Sequence, residues 1–264
     1  MFKVACIQIS SGKDIQKNFN ISKKLILKAI KQKADFITTP ETSSLFGLNK
    51  KELLKKTTSM KKDFYLKEVQ KMARQYKKWI LIGSVLIKEN KRIKNRSVLI
   101  NTKGLIETYY DKIHMYDVSL NKNEKYFESK IFSAGKILKT SNLPWGKLGL
   151  SICYDVRFPN MYRKLSKRGS LFITVPSAFT KTTGKKHWHT LLKARAIENF
   201  CYIIAPAQHG KHWNGRETYG HSLIISPDGN ILKELRKGSG IITANINPNI
   251  SKALRKKIPS LDEN

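Results

Sequence analysis

Apolar residues recur along this chain with two periods that alternate almost from end to end. A short apolar run from Val4 to Ile9 predicts a buried strand. Phe19, Ile26, Ala29 and Ile30 then fall at helical spacing, and the β-branched run Phe36-Ile37-Thr38-Thr39 predicts a second strand. Tyr65, Val69, Met72 and Tyr76 line one side of a second helix, with Trp79-Ile80-Leu81-Ile82 as the strand after it. A hairpin follows, with arms Ser97–Ile100 and Leu105–Tyr109 joined by a turn from Asn101 to Gly104. The second half repeats the order. Leu148–Ile152 reads as a strand, and Phe158, Met161, Tyr162 and Leu165 mark a helix. Strand Leu171–Val175, helix Trp188–Glu198, strand Cys201–Ile204 and a hairpin around Pro227-Asp228-Gly229 close the pattern.

Two β-α-β-α-β-β-β halves of this kind predict an α/β fold, two mixed sheets stacked face to face with helices outside. No Pro/Gly/Ser linker or low-complexity tract separates the halves, so residues 1–250 read as one domain and 251–264 as a polar C-terminal tail on the surface.

At 264 residues and 30.3 kDa such a domain buries a sizeable core without disulfides or metals. The charge is the outlier: 51 Lys+Arg against 19 Asp+Glu leave +32, with an isoelectric point near 10.1. That invites a nucleic-acid or membrane-surface partner. The excess is mostly lysine, spread from Lys3 to Lys257 beside abundant Ile and Asn, the profile of an AT-rich coding sequence. A phosphate-binding face more often clusters Arg with aromatics, so nucleic-acid binding is the less favoured reading. No run reaches the roughly 18 apolar residues of a membrane span, and the first strand is too short an apolar run for a signal peptide. Cys6, Cys153 and Cys201 form no CxxC pair, which fits a reducing cytoplasm.

Three residues sit at or just past strand ends, where α/β folds build sites. They are Glu41 after Phe36–Pro40, Lys112 after Leu105–Asp111, and Cys153 after Leu148–Ile152. Cys153 lies at a strand-to-helix turn, where exposure and helix N-terminal N–H groups are expected to favour a thiolate. Cys6 and Cys201 read as small buried hydrophobes. A carboxylate to take the thiol proton, an ammonium to hold the charge on an attacked carbonyl oxygen, and a thiol nucleophile are together what amide hydrolysis through a thioester needs.

Thr39-Pro40-Glu41, Tyr110-Asp111-Lys112-Ile113-His114 and the run from Gly149 through Cys153-Tyr154-Asp155 to Pro159 occur in that order. With them the chain resembles the nitrilase superfamily of carbon–nitrogen hydrolases from Lys3 to about Asn247. The resemblance implies a four-layer αββα sandwich, a Glu41-Lys112-Cys153 triad, an oxyanion site shared by Lys112 and the Tyr154 backbone N–H, and a homodimer. Phe127-Glu128-Ser129 followed by Gly135 is similar to the loop carrying a second glutamate, which implies that Glu128 orients substrate or Lys112. Ser177-Ala178-Phe179-Thr180 is similar to the segment of amidase-type members, placing Tyr154, Phe179 and Thr180 against substrate. Tyr154-Asp155-Val156-Arg157-Phe158-Pro159 resembles the Nit-type amidases. Thr183-Gly184, His187-Trp188 and Tyr219-Gly220-His221-Ser222 look closest to those acting on deaminated glutathione. Hydrolysis of α-ketoglutaramate-like amides or of N-carbamoyl amines stays open, as does, in another class, a basic nucleic-acid-binding protein with a vestigial site.

Two positions depart from the family pattern: Asn160 stands where Glu usually follows Phe-Pro, and His189 where Glu usually follows His-Trp. His187 and His189 lack the further ligands a zinc site needs, so no metal is expected, and without a Gly-rich phosphate cradle no nucleotide cofactor either. Arg195 and Glu198 read equally as a solvated helical pair or a buried one. His209 and His212, in a loop with Gly210 and Gly215, read as a mobile surface segment.

Overall fold

The computed structural model describes residues 1–122 and 124–261. Along the first half run β1 (Phe2–Gln8), α1 (Ile15–Lys31), β2 (Phe36–Thr38), α2 (Lys50–Lys56), α3 (Phe64–Tyr76), β3 (Trp79–Glu89), β4 (Arg92–Ile100) and β5 (Ile106–Asp111). A small hairpin, β6 (Asp117–Ser119) and β7 (Lys125–Phe127), leads to β8 (Thr140–Leu143) and β9 (Gly146–Leu150). The second half continues with α4 (Pro159–Lys167), β10 (Ser170–Thr174), α5 (Lys181–Asn199) and β11 (Tyr202–Ala205). A second small hairpin, β12 (His209–Lys211) and β13 (Glu217–Tyr219), precedes β14 (Ser222–Ile225), β15 (Ile231–Leu235), β16 (Gly240–Ile246) and α6 (Pro248–Lys257).

Among the described residues these strands build two six-stranded sheets, in the orders β16-β1-β2-β3-β4-β5 and β8-β9-β10-β11-β14-β15. The two follow one plan. In each, three parallel strands are joined through helices, an antiparallel hairpin extends one edge, and an antiparallel strand closes the other. The expected α/β architecture is therefore present as a four-layer αββα sandwich.

The period of two in the strands sets the layers. In β1, Val4 and Cys6 point into the core between the sheets with Phe36, Leu81 and Leu99, while Ala5 and Ile7 pack outward. The outward face meets Phe19, Ile26 and Ala29 of α1 and Tyr65, Val69 and Met72 of α3. The second sheet gives Leu148, Leu150 and Phe172 to the central core, with α4 (Met161, Tyr162, Leu165) and α5 (Trp188, Leu192, Ala196) against it. Helix starts are fixed by side-chain caps, Asp14 on the Lys17 N–H and Asp63 on the Leu66 N–H.

Helix α5 starts seven residues before the expected Trp188. Its first turns bury Thr183 and Gly184 rather than large apolar residues, so no hydrophobic period announces them. A Cβ at Gly184 would lie 2.4 Å from the Tyr219 ring, so only glycine lets helix and ring meet. The stretch from Ser251, expected as a surface tail, is helical to Lys257 and tied to the body. Ser251 Oγ donates to Leu171 O at 3.2 Å, and Arg255 donates to Ser170 O and Asn199 O at 2.6 and 2.9 Å. Residues 262–264 of that tail lie outside the described residues. No described helix is long and apolar enough to cross a membrane.

Strands β2, β5, β9 and β10 all end at one side of the sandwich. There the register of β3 shifts between Ile82 and Val85, and the irregular residues clasp the segment after β2. Gly83 N donates to Thr39 Oγ1 (3.1 Å), Ser84 N to Pro40 O (3.2 Å), and Thr42 N to Ser84 Oγ (2.6 Å). A Cβ on Gly83 would sit 2.0 Å from Thr39 O and 2.5 Å from Pro40 O. Both contacts are backbone, which cannot swing away. Gly83→Ala is expected to cost about 2–3 kcal/mol and lower the melting temperature by roughly 5–10 °C. An unchanged thermal unfolding curve would show that this clasp is soft.

Candidate active site

The clasped segment delivers Glu41 to the interior, where it is 2% exposed. Its carboxylate is fully engaged. Oε1 accepts from Lys112 Nζ and from Asn95 Nδ2, both at 2.9 Å, and Oε2 accepts from the Ala178 backbone N–H at 2.8 Å. Burial pushes this carboxyl up, but the Lys112 charge and hydrogen bond, the Cys153 thiol and Arg216 outweigh it, leaving it below its ordinary range.

Lys112 follows β5 and is 1% exposed. Its backbone N–H donates to Asn95 O at 3.0 Å, so β4 holds both Lys112 and Glu41. Besides Glu41, the ammonium donates to Glu128 Oε2 at 2.7 Å. Burial alone disfavours the charged amine; Glu128, Glu41 and Cys153 reverse this and hold Lys112 protonated. Glu128 is itself positioned, its Oε2 accepting from the Tyr116 N–H at 2.8 Å.

Cys153 opens a short 3-10 turn, Cys153–Arg157, in the left-handed conformation with φ +48°. Asp155 fixes that turn. Its carboxylate accepts from Ile152 N (2.8 Å), from the Tyr110 hydroxyl (2.7 Å) and from His114 N (3.1 Å), with His114 Nδ1 at 2.7 Å. Tyr110 and His114 flank Lys112, so one fully buried side chain ties the Cys153 turn to the Lys112 segment. The thiol does not match the expectation of an exposed, helix-activated thiolate. Cys153 is 7% exposed, and burial first, then the charges of Glu41 and Glu128, push its pKa well up despite Lys112. The turn supplies too short a helix to compensate.

Glu41, Lys112, Glu128 and Cys153 line a tight cavity of about 10 Å³. Tyr154, Phe179, Thr180, Tyr116, Thr183 and Arg216 complete it, so every site residue expected from sequence meets here. Thr180 is held by Thr183 (2.8 Å) and Tyr116 (3.3 Å). Through Glu41, Glu128 and Arg216 the cavity joins an outer cleft of about 660 Å³, walled by Phe46 and Tyr126.

Against known proteins the whole chain finds relatives. The sequence model described as carbon-nitrogen hydrolase matches residues 3–256. The chain belongs to the carbon–nitrogen hydrolase family. It is similar to a protein named deaminated glutathione amidase from Synechocystis sp., 39% identical over 98% of this chain and 97% of that one. The crystal structure of the Caenorhabditis elegans NitFhit protein superposes with a TM-score of 0.93 at 34% identity, covering 100% of this chain and 65% of that chain. Saccharomyces cerevisiae Nit3, titled a member of branch 10 of the nitrilase superfamily, superposes with a TM-score of 0.85 at 26% identity over 98% and 94% of the two chains.

In this carbon–nitrogen hydrolase, Asn95 and Asp155 brace the site and Tyr116 and Arg216 line it, and strand-end reasoning passes over all four. Asp155 and His114 stand inside the sequence fragments already singled out; Arg216 carries no local signal. Its Nη2 donates to Ala178 O at 3.0 Å, its plane lies over Phe46 and Tyr126, and its buried Nε has no hydrogen-bond partner among the described residues.

The remaining sequence readings divide. Cys6 and Cys201 are fully buried, as expected of structural thiols. Arg195 is the buried alternative: it donates to Glu198 (2.9 Å) and to Val156 O (2.8 Å), bracing the Cys153 turn from α5. His212 is not a mobile surface group. It is 4% exposed, its Nδ1–H donates to Ser11 O at 3.0 Å, and its Nε2 accepts from Thr218 Oγ1 at 2.8 Å. Burial lowers its pKa to about 4, so it stays neutral. The surrounding glycines suggested mobility, but the ring packs against Phe46, tilted by 36° with centroids 4.0 Å apart.

The raised Cys153 pKa has a measurable sign. At neutral pH the resting group is a thiol, and its thiolate fraction grows tenfold per pH unit until the folded pKa is reached. Alkylation of Cys153 by iodoacetamide should climb steadily from pH 6 to 9. A plateau below pH 8 would show instead a preformed thiolate.

Proposed function

We propose that the protein hydrolyses the primary carboxamide of a small anionic metabolite to a carboxylate and ammonia, with deaminated glutathione as favoured substrate. The observation that carries this reading is the unbroken chain Glu128–Lys112–Glu41 beside a buried thiol at the floor of a cavity. A thiol held neutral needs a base at the moment of attack, and Glu41 is that base. As Cys153 Sγ adds to the amide carbon, its proton passes to Glu41. Lys112 and the Tyr154 backbone N–H stabilise the tetrahedral oxyanion. Collapse expels ammonia, which takes the proton from Glu41 and leaves a thioester. Glu41 then removes a proton from water as hydroxide adds to the thioester carbon; collapse expels the Cys153 sulfur, which takes the proton back from Glu41, and the acid leaves, ionising to carboxylate. Glu128 keeps Lys112 charged and aimed, and Tyr154, Phe179 and Thr180 shape the acyl pocket.

Substrate choice rests on two supports. Relatives along nearly the whole chain, from Synechocystis to Homo sapiens, carry the name deaminated glutathione amidase. Arg216, which lines the outer cleft and whose buried Nε has no hydrogen-bond partner among the described residues, suits a substrate carboxylate. In this reading residues 1–250 form the catalytic domain with 251–264 as its extension, and the enzyme works without a cofactor, as a cytoplasmic homodimer.

The test is ammonia release from deaminated glutathione, α-ketoglutaramate, an N-carbamoyl amino acid and a simple nitrile. Deaminated glutathione should give the highest kcat/KM; preference for another amide would move the substrate while keeping the mechanism. Cys153→Ala should lose at least about 10⁴-fold and Glu41→Gln about 10²–10⁴-fold, whereas Cys201→Ala stays near wild type. Equal loss at Cys201 and Cys153 would refute the assignment of the nucleophile. Arg216→Met should raise KM for the anionic amide about tenfold while changing kcat less.

A further inference from the structure

Outside the lining of the cavity, three side chains of metal-ligand type converge. They are His189 on α5, His221 at the entry to β14, and Glu234 on β15. His189 Nε2 lies 3.0 Å and His221 Nδ1 2.6 Å from the same oxygen, Glu234 Oε1. The three ligand atoms fall within 4.8 Å of one another, and all three residues are half-buried. Their scaffold is firm. Trp188 Nε1 donates to His221 O at 2.8 Å, the Tyr219 ring stacks on His221 at 4.0 Å, and His221 holds the left-handed φ of +54°. The two imidazoles meet nearly edge to face with centroids 5.3 Å apart, so their nitrogens converge on one point.

Sequence separation hid this group, because its members lie 32 and 13 residues apart. The chain also departs here from its family pattern, with His189 standing where Glu usually follows His-Trp. That exchange adds a second imidazole, and β15 supplies the carboxylate.

We propose that His189, His221 and Glu234 form a divalent-cation site of zinc type, separate from the amidase centre. Two imidazoles and one carboxylate are a common three-ligand set for Zn²⁺, with water in the fourth position. Zinc–ligand bonds of about 2.0–2.1 Å put tetrahedral neighbours about 3.3 Å apart, so the two nitrogen-to-Glu234 distances need to widen by less than about 1 Å to admit the ion. The proton each ring shares with Glu234 moves to the other ring nitrogen or to solvent as the metal binds. Arg236 touches only the other carboxylate oxygen, Oε2 at 3.4 Å, and being 79% exposed it can swing aside. The net charge of +32 repels cations at long range, but that repulsion is screened beyond about 8 Å at physiological ionic strength. A bound ion staples α5 to the β14–β15 hairpin and so stabilises the sandwich where the β12–β13 hairpin leaves it.

The alternative is a carboxylate moved from position 189 to 234 that only hydrogen-bonds the imidazoles. Calorimetric titration of chelator-treated protein with zinc sulfate in 0.15 M salt separates the two. The wild type and Cys153→Ala should each bind one Zn²⁺ per chain with micromolar or tighter affinity. His189→Gln keeps a donor toward Glu234 while removing the ligand, and should weaken binding at least tenfold, with an unchanged metal-free melting temperature showing that it folds. Co²⁺ should give ligand-field bands without thiolate charge transfer, and Zn²⁺ should raise the melting temperature by several degrees, reversibly with EDTA. Binding unchanged in His189→Gln, lost in Cys153→Ala, or absent from the wild type overturns the site.

Discussion

The constraint on which the rest depends is the burial of the Lys112 ammonium between two carboxylates. An unpaired charge at that depth would lose its proton or unfold its surroundings. Glu41 and Glu128 at 2.9 and 2.7 Å prevent both. Each must arrive from a different part of the chain: Glu41 from the clasp between β2 and β3, Glu128 from the end of β7, Lys112 from the end of β5. None of those segments can shift alone without stranding a charge. The triplet thus sets the register of the loops at this end of the sandwich as well as the chemistry.

Its charge count also explains the thiol. Two carboxylates against one ammonium leave the floor of the cavity with a surplus negative charge, and Cys153 sits beside it. A preformed thiolate would add another. In the proposed mechanism, keeping the proton on sulfur until a carbonyl arrives lets Glu41 accept it as the oxyanion forms beside Lys112, so charge is transferred within the site rather than accumulated. Asp155 makes this possible mechanically, holding the strained turn of Cys153 and the flanks of Lys112 with one carboxylate.

The layered fold was legible in the sequence because strands and helices that bury one face write their period into it, as β1 and α3 do. The strand-end residues Glu41, Lys112 and Cys153 were legible for a related reason: each stands just past the carboxyl end of a segment whose pattern predicts a strand. Other parts left no such trace. Hairpins β6–β7 and β12–β13 have three-residue arms, too short for a period, yet they carry the approach to Glu128 and the position of Arg216. The opening of α5 is buried through Thr183 and Gly184, which look polar and flexible in a sequence. The exposure expected of Cys153 and of His212 failed for one cause. Burial there is imposed by residues distant in sequence, Glu41, Lys112 and Glu128 around the thiol and Phe46 and Ser11 around the imidazole. The same is true of His189 and Glu234, whose meeting is set by how a helix lies on a sheet edge.

The lysine excess takes a different meaning once the fold is known. Lys112 is buried, whereas most of the other lysines lie on exposed or half-buried positions of the outer helices and loops, a diffuse positive shell around a cavity floor that is locally negative. Such a shell attracts an anionic metabolite from any direction, over a distance that salt limits to about one Debye length. It cannot orient what it attracts. In the proposed reading a fixed cation supplies the orientation: Arg216 is held by Ala178 O and two aromatic rings, and its Nε has no hydrogen-bond partner among the described residues. In that reading long-range charge gathers the substrate and one immobilised guanidinium turns it. The buried Glu41–Lys112–Glu128 chain meets only the amide end that reaches Cys153.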